Sequence, residues 1–167
     1  MSERENIFIA TAEKPSQFSR LLVDRFGLEY MKGMDPQVSE DLGLRRRALT
    51  AGGFVGLRLY PNTFVDPDAA PDEVQAFDAY PLQIDLWIPR PRPVEAQEVE
   101  ARAWYGRLMA ARPDLPMLLV HDLNLLSAAY LPGRSEHDFP QGTSVDVPDI
   151  DAWLPWVIKT EYGGHLL

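Results

Sequence analysis

The residues best placed to do chemistry are His121 and Asp122. They follow Met117-Leu118-Leu119-Val120, an apolar run of the kind that fills a sheet interior. An imidazole and a carboxylate held at the end of such a strand can act as a general acid–base pair. His-Asp is also the dipeptide of metal-dependent phosphohydrolases, but those draw further histidines from helices. The other two histidines, His137 and His165, fall in a loop-like stretch and in the tail. The plainer reading of His121-Asp122 is a turn, and that of Glu136-His137-Asp138 a solvated loop. A third candidate is Asp85, within Leu82-Gln83-Ile84-Asp85-Leu86-Trp87-Ile88. On a strand Asp85 shares a face with Gln83 and Trp87, opposite the aliphatic side. That face could be a half-polar groove, with Asp85 coupled to His121 on a neighbouring strand, or simply a surface face.

Other patterns fail on their spacing. Asp66-Pro67-Asp68-Ala69-Ala70-Pro71-Asp72-Glu73 alternates carboxylates as a calcium loop does, yet Ala70, Pro71 and Phe77 stand where a ligand, a glycine and a glutamate are needed. Gly52-Gly53-Phe54-Val55-Gly56 follows Arg45-Arg46-Arg47, but phosphate loops run from strand into helix, whereas these glycines precede a strand. A tight turn and a solvated arginine face are the simpler readings. No Gly-x-Ser-x-Gly elbow occurs, and neither Ser127 nor Ser144 has a nucleophile context. Cysteine is absent, which excludes disulfides and thiolate chemistry and leaves any zinc site only histidines and carboxylates. No cofactor and no metal site are expected.

The strongest non-catalytic signal is a set of aromatics among acids near the C-terminus. Trp153, Trp156 and Tyr162 lie with Asp146, Asp149, Asp151 and Glu161, and aromatic anchors in charged surroundings are common in interfaces. The bland alternative is that both tryptophans pack a helix onto the sheet. The net charge of −9 is unevenly spread, with the acid in two blocks, residues 66–101 at −7 and residues 135–167 at −5. It argues against nucleic acid, whose phosphates need a basic footprint, and against anionic membranes. The most apolar window, Leu115–Leu131, is broken by Pro116, His121, Asp122 and Asn124, so no membrane span is expected. Met-Ser-Glu-Arg-Glu-Asn is not the basic start of a signal peptide, and a cytoplasmic location is expected.

The elements that must position these residues can be read from periodicity. At 167 residues one domain spanning 1–167 is expected. Residues 6–12 read as a first strand. Phe18, Leu21, Leu22 and Phe26 predict a helix stopping at Gly27. Residues 28–53 show no sustained period and are expected to be loop, with a short helix near 36–42. A strand follows at 54–60, then an exposed, acidic connection over 65–80 with a helical turn at 72–77. The strand at 82–88 leads through a polyproline-type linker at 89–93. A helix at 95–112 has Val99, Ala103, Trp104, Leu108 and Ala111 as its buried stripe. Strands at 117–120 and 125–131, an irregular stretch over 132–149 and a C-terminal helix at 151–162 complete the chain.

This order predicts an α+β fold with a ferredoxin-like β-α-β-β-α-β core, an extra strand and a C-terminal helix. The right-handed crossover rule puts both main helices on one sheet face. Fold does not fix function. The reading the sequence favours is an acidic protein-binding module, an inhibitor of immunity or antitoxin type for a basic or cationic-faced protein. Its contacts would be Asp72, Glu73, Asp146, Asp149, Asp151, Trp153, Trp156 and Tyr162. The alternative is a small-molecule enzyme or ligand binder of dimeric α+β barrel type using Asp85, His121 and Asp122; a homodimer is open under either reading.

Overall fold

Strand β1 (Glu5–Ile9) is buried at every residue, with Ile7 and Ile9 on one side and Asn6 and Phe8 on the other. It pairs antiparallel with β5 (Leu82–Trp87) on one flank and β6 (Met117–His121) on the other. In the computed structural model, which describes residues 3–63, 68–89, 93–158, 161–162 and 165–166, this is the centre of an eight-stranded sheet. With β2 (Glu29–Tyr30), β3 (Leu42–Arg47), β4 (Phe54–Pro61), β7 (Leu125–Tyr130) and β8 (His137–Asp138), the order is β2-β3-β4-β5-β1-β6-β7-β8, antiparallel throughout. The chain is a single-domain mixed α/β protein. Both outermost strands are two residues long, which limits the backbone offered for edge pairing.

Two helices cover one face. Helix α1 (Pro15–Phe26) begins with Pro15, whose ring presets φ, and ends at Gly27, whose φ of 67° is left-handed. Helix α2 (Val94–Ala111) lies beside it. Phe18, Leu22, Trp104 and Leu108 close over Ile7, Ile9, Leu57, Ile84 and Leu119 as one apolar core. The buried stripe of α2 is rotated from expectation. Val99 is 56% exposed, while Gln97, Glu100, Ala101 and Tyr105 face inward.

Three expectations are corrected. The segment 28–53 is not a loop with a helix at 36–42, since it carries β2 and β3. Its period of two is masked by arginines. Leu42 and Leu44 point to the core and Arg46 follows them inward, its guanidinium donating to the Phe26 carbonyl at 2.6 Å and lying 5.7 Å from the Trp104 ring centre. Gly52 and Gly53 lie in the hairpin turn between β3 and β4, Gly53 having φ 88°, and Gly56 within β4 leaves room for the Trp87 ring, which a Cβ there would overlap.

The second correction concerns 65–80. Pro71–Glu73 form a 3-10 turn, but Val74, Ala76, Phe77, Asp78 and Tyr80 are buried under the second sheet face. Phe77 stacks on Phe8 with ring centres 4.5 Å apart. The third concerns the C-terminal helix, which is one turn of α3 (Ile150–Trp153) followed by a 3-10 turn at Leu154–Trp156. Pro155 has no N–H to donate back to the Asp151 carbonyl, so the α-helical ladder stops there and the chain tightens into the 3-10 turn, with Leu154 still helical at φ −53° and ψ −39°. Glu161–Tyr162 form β9, paired with β10 (His165–Leu166). The side chains of Tyr162 and His165, together with Asp66, Pro67 and the linker at 90–92, lie outside the described residues.

Residues 71–80 and 139–158 thus form a lid over the face that the helices leave bare, with a second core of Phe8, Leu118, Val120, Phe77, Tyr80 and Trp153. No described helix is long and apolar enough to cross a membrane.

Candidate functional site

His121 ends β6 on the helix side of the sheet, opposite Glu5 in register. The turn that follows is tight. Asp122 (φ 48°) and Leu123 (φ 59°) both adopt left-handed backbone, and Asn124 N–H closes onto the His121 carbonyl at 3.0 Å. This is the geometry of a type I′ hairpin turn, built here without glycine. A register shift beyond Leu119 bulges the partner strand β7 around Ser127.

Glu5 is 2% exposed, and its carboxylate lies 2.5 Å from His121 Nδ1. Glu98, from the first turns of α2, approaches the same nitrogen at 3.9 Å. Burial pushes the Glu5 carboxyl up to about 7, against the opposing pull of His121. Burial works against the imidazolium too, but the hydrogen bond and charge of Glu5, with Glu98 and Asp122, outweigh it and raise His121. Both groups are thus shifted toward their protonated forms, and their contact suits the pair to general acid–base work.

Beside this pair opens a cleft of about 450 Å³, walled by Glu98 and Arg102 of α2, by Leu125–Ser127 of β7 and by Phe139, Gln141 and Gly142. It is open to solvent rather than enclosed. Arg102 is held at its rim by Asp138 (2.7 Å) and Glu136 (3.3 Å). Donor atoms of Glu5, Glu98 and His121 lie within 4.8 Å of one another, close enough for one cation to touch all three. Glu5 and Glu98 are not among the residues the sequence singles out. The signal for Glu5 is its place two residues before Ile7 and four before Ile9, which puts a carboxylate on a buried strand face.

Asp85 does not pair with His121. β1 lies between their strands, and Asp85 projects from the other face of the sheet, with Gln83 and Trp87 as the alternation predicts. It is 3% exposed and accepts hydrogen bonds from Asn6 (2.7 Å), Gln83 (2.8 Å) and Tyr60 (2.7 Å), with Arg4 at 3.4 Å. Burial, then the bond to Asp85, raises the Tyr60 phenol. Asn6 also accepts the Leu123 N–H at 3.0 Å. Asp85 therefore orients Asn6, and Asn6 holds the turn that carries Asp122. The role is positional. Asp122 itself is exposed, with its N–H bonded to the Arg4 carbonyl.

Of the residues expected to bind a partner, Asp72, Glu73, Asp146, Asp149, Asp151, Trp153 and Trp156 lie on the lid, while the Tyr162 side chain lies outside the described residues. Gln75 and Asp146 form a backbone bridge, and Ala76 N–H bonds the Val145 carbonyl, so the two acidic blocks lie side by side. Segments 68–80 and 135–158 hold nine carboxylates and no Lys or Arg, leaving 16 acidic against 16 basic residues in the rest of the chain. Asp72, Glu73 and Asp151 are exposed. Asp149 caps the Ser144 N–H at 2.6 Å, and Asp146 accepts from Gln75 and Ser144.

Trp153 is corrected: at 2% exposure it belongs to the second core, its indole N–H bonded to the Asp146 carbonyl, and it cannot anchor a partner without unfolding the lid. Trp156 is half-buried, stacked on His137 at 4.1 Å with Arg134 over the ring at 4.2 Å. His137 is thereby an edge of this aromatic stack rather than a free loop residue. Comparison of the chain with protein-family models, with curated proteins and with solved structures yields no match.

Proposed function

We propose that this chain is a protein-binding module that engages a basic-faced protein through its acidic lid, in the manner of an immunity protein or antitoxin. The observation that carries the reading is the pairing of segment 68–80 with segment 135–158 through Gln75 and Asp146, which gathers nine carboxylates from segments that contain no Lys or Arg, two of them, Glu136 and Asp138, being bridged by Arg102. A field of one sign steers an oppositely charged partner and rejects like-charged ones, contributing association rate and specificity. Asp72, Glu73 and Asp151 supply exposed charge, and Trp156 with Arg134 supplies the ring surface at the border.

The inner strand order β4-β5-β1-β6, with α1 and α2 on one face, supports reading the framework as a ferredoxin-like core extended at both edges. The test is affinity capture from the native host, identification of the captured protein, and titration of the purified pair. Binding to a basic protein should weaken from about 50 to 500 mM salt and should fall at least about tenfold in Asp72→Lys/Asp151→Lys. The chain should also suppress the captured protein's activity. A partner that binds the double variant as tightly, or independently of salt, would overturn the reading.

The cleft beside His121 favours a second reading, a small-molecule ligand binder or enzyme. Its residues would be Glu5, Glu98 and His121. Asp85 takes no part, and a dimeric barrel is disfavoured because the lid occupies the inner strands' open face. Co-purification of a small molecule lost in His121→Ala is the outcome expected of this reading, and its retention there would refute it.

A further inference from the structure

We propose that Glu5, Glu98 and His121 form a binding site for one first-row divalent cation of the zinc or manganese class. This is independent of how the lid is used.

The three donors come from β1, α2 and β6, so the site is tied to the sheet centre and its covering helix, a rigid frame on two of three sides. A four-coordinate ion with ligand bonds of about 2.0–2.2 Å needs its donors about 3.3–3.5 Å apart. The Glu5–His121 contact at 2.5 Å and the Glu98–His121 contact at 3.9 Å bracket that spacing, and all three donor atoms lie within 4.8 Å of one another. Charge favours a cation. Glu5, Glu98 and Asp122 face His121, and Arg102, the cleft's one arginine among its described walls, is engaged by Glu136 and Asp138. The mixed set of one imidazole and two carboxylates suits borderline first-row ions better than magnesium or calcium, which take oxygen donors alone. Three protein ligands leave a coordination position toward the cleft, where Ser127 and Gln141 stand.

Burial of Glu5 alone would be explained by its bond to His121. Glu98 is not so explained: its side chain is about half exposed, yet it is aimed at the same nitrogen. That makes Glu98 the discriminating residue, since replacing it disturbs no packing.

The experiment is calorimetric titration of the metal-free full chain with zinc chloride and with manganese chloride. One ion should bind per chain, and Glu98→Gln should weaken binding at least about tenfold while leaving the metal-free unfolding midpoint unchanged. His121→Ala should abolish it. His137→Ala, which alters a histidine that lies outside the cleft, should bind as the wild type does. No saturable binding below about 1 mM of either ion would overturn the proposal. So would equal affinity in the wild type and Glu98→Gln, or loss of binding in His137→Ala, which would place the ion elsewhere.

Discussion

Replacing Glu100 by Gln tests how the helix layer is pinned to the sheet. Glu100 lies on the inner face of α2 with no exposed surface, and its carboxylate collects four donors. One oxygen takes the Leu49 N–H at 2.6 Å and the Trp104 indole N–H at 3.1 Å; the other takes the Thr50 N–H at 2.7 Å and the Thr50 hydroxyl. The turn between β3 and β4 is thereby tied to the helix. A glutamine retains one acceptor oxygen. Its best orientation keeps that oxygen on Leu49 and Trp104 and turns the amide NH₂ toward Thr50, where the hydroxyl can reverse and accept. The Thr50 N–H then faces another donor with nothing to accept it. Thr50 is an exposed residue, so its stranded N–H costs toward the lower end of about 1–3 kcal/mol, and the remaining bonds lose their charge assistance. The expected loss is therefore about 1–2 kcal/mol, or roughly 2–8 °C in Tm for a chain of this size. Glu100→Ala, which strands all four donors, should cost more.

The acid limb gives the sign. Burial works against the Glu100 carboxylate, but the bonds from Thr50, Leu49 and Trp104 outweigh it and hold the carboxyl below its ordinary range. Its contribution is present above that range and is lost as pH falls through the lowered value. Denaturant melts of wild type and Glu100→Gln should differ at neutral pH and converge in acid. A difference under about 0.5 kcal/mol at neutral pH, typical of a surface substitution, would refute this account, as would a gap that widens in acid.

Two further outcomes are expected. Asn6→Ala removes both the bond to Asp85 and the acceptor for the Leu123 N–H, so stability should drop by about 2–3 kcal/mol and the Leu123 amide should exchange faster, as hydrogen-exchange NMR would read. In chelator-containing buffer, wild type should lose on the order of 2–3 kcal/mol as pH rises from the ordinary carboxylate range through about 7. The folded state holds the Glu5 proton more tightly than the unfolded chain, and the raised His121 acts in the same direction. Glu5→Gln should flatten that slope in denaturant melts at about pH 5 and 8; an unchanged slope would refute the assignment.

Much of the frame is legible in the sequence because the hydrophobic period is unbroken there. Leu82, Ile84 and Leu86 alternate as a strand must, and Phe18, Leu22 and Phe26 repeat as a helix must. Strand β3 is hidden because three of its six residues are arginines, one of them half-buried and held by a carbonyl contact that hydropathy does not count. The lid was hidden for a different reason. Its apolar residues, Val74, Phe77, Tyr80, Val145 and Trp153, are spaced irregularly among prolines and acids. They are buried by long-range pairing with a sheet face that local pattern does not describe. Asp85 was recognisable as a polar residue on a strand, but its partner depends on strand order, and only tertiary structure places β1 between it and His121.

The lid shows why counting acids does not locate an interface. Asp78 accepts the Gln75 N–H, Asp146 accepts from Gln75 and Ser144, and Asp149 accepts the Ser144 N–H, so these carboxylates build the lid. Asp72 and Asp151 are exposed and have no side-chain hydrogen bond among the described residues. The two kinds should separate on substitution. Asp149→Ala leaves the Ser144 N–H without its acceptor and should cost about 1–2 kcal/mol, with Trp153 fluorescence reporting a looser second core. Asp151→Ala should change stability by less than about 0.5 kcal/mol and act on partner binding alone, chiefly through the association rate. Loss of binding in Asp149→Ala is then interpretable only after its stability is measured. Equal stability of the two variants would show that the Asp149 bond does not hold the lid, and the division between structural and docking carboxylates would fall.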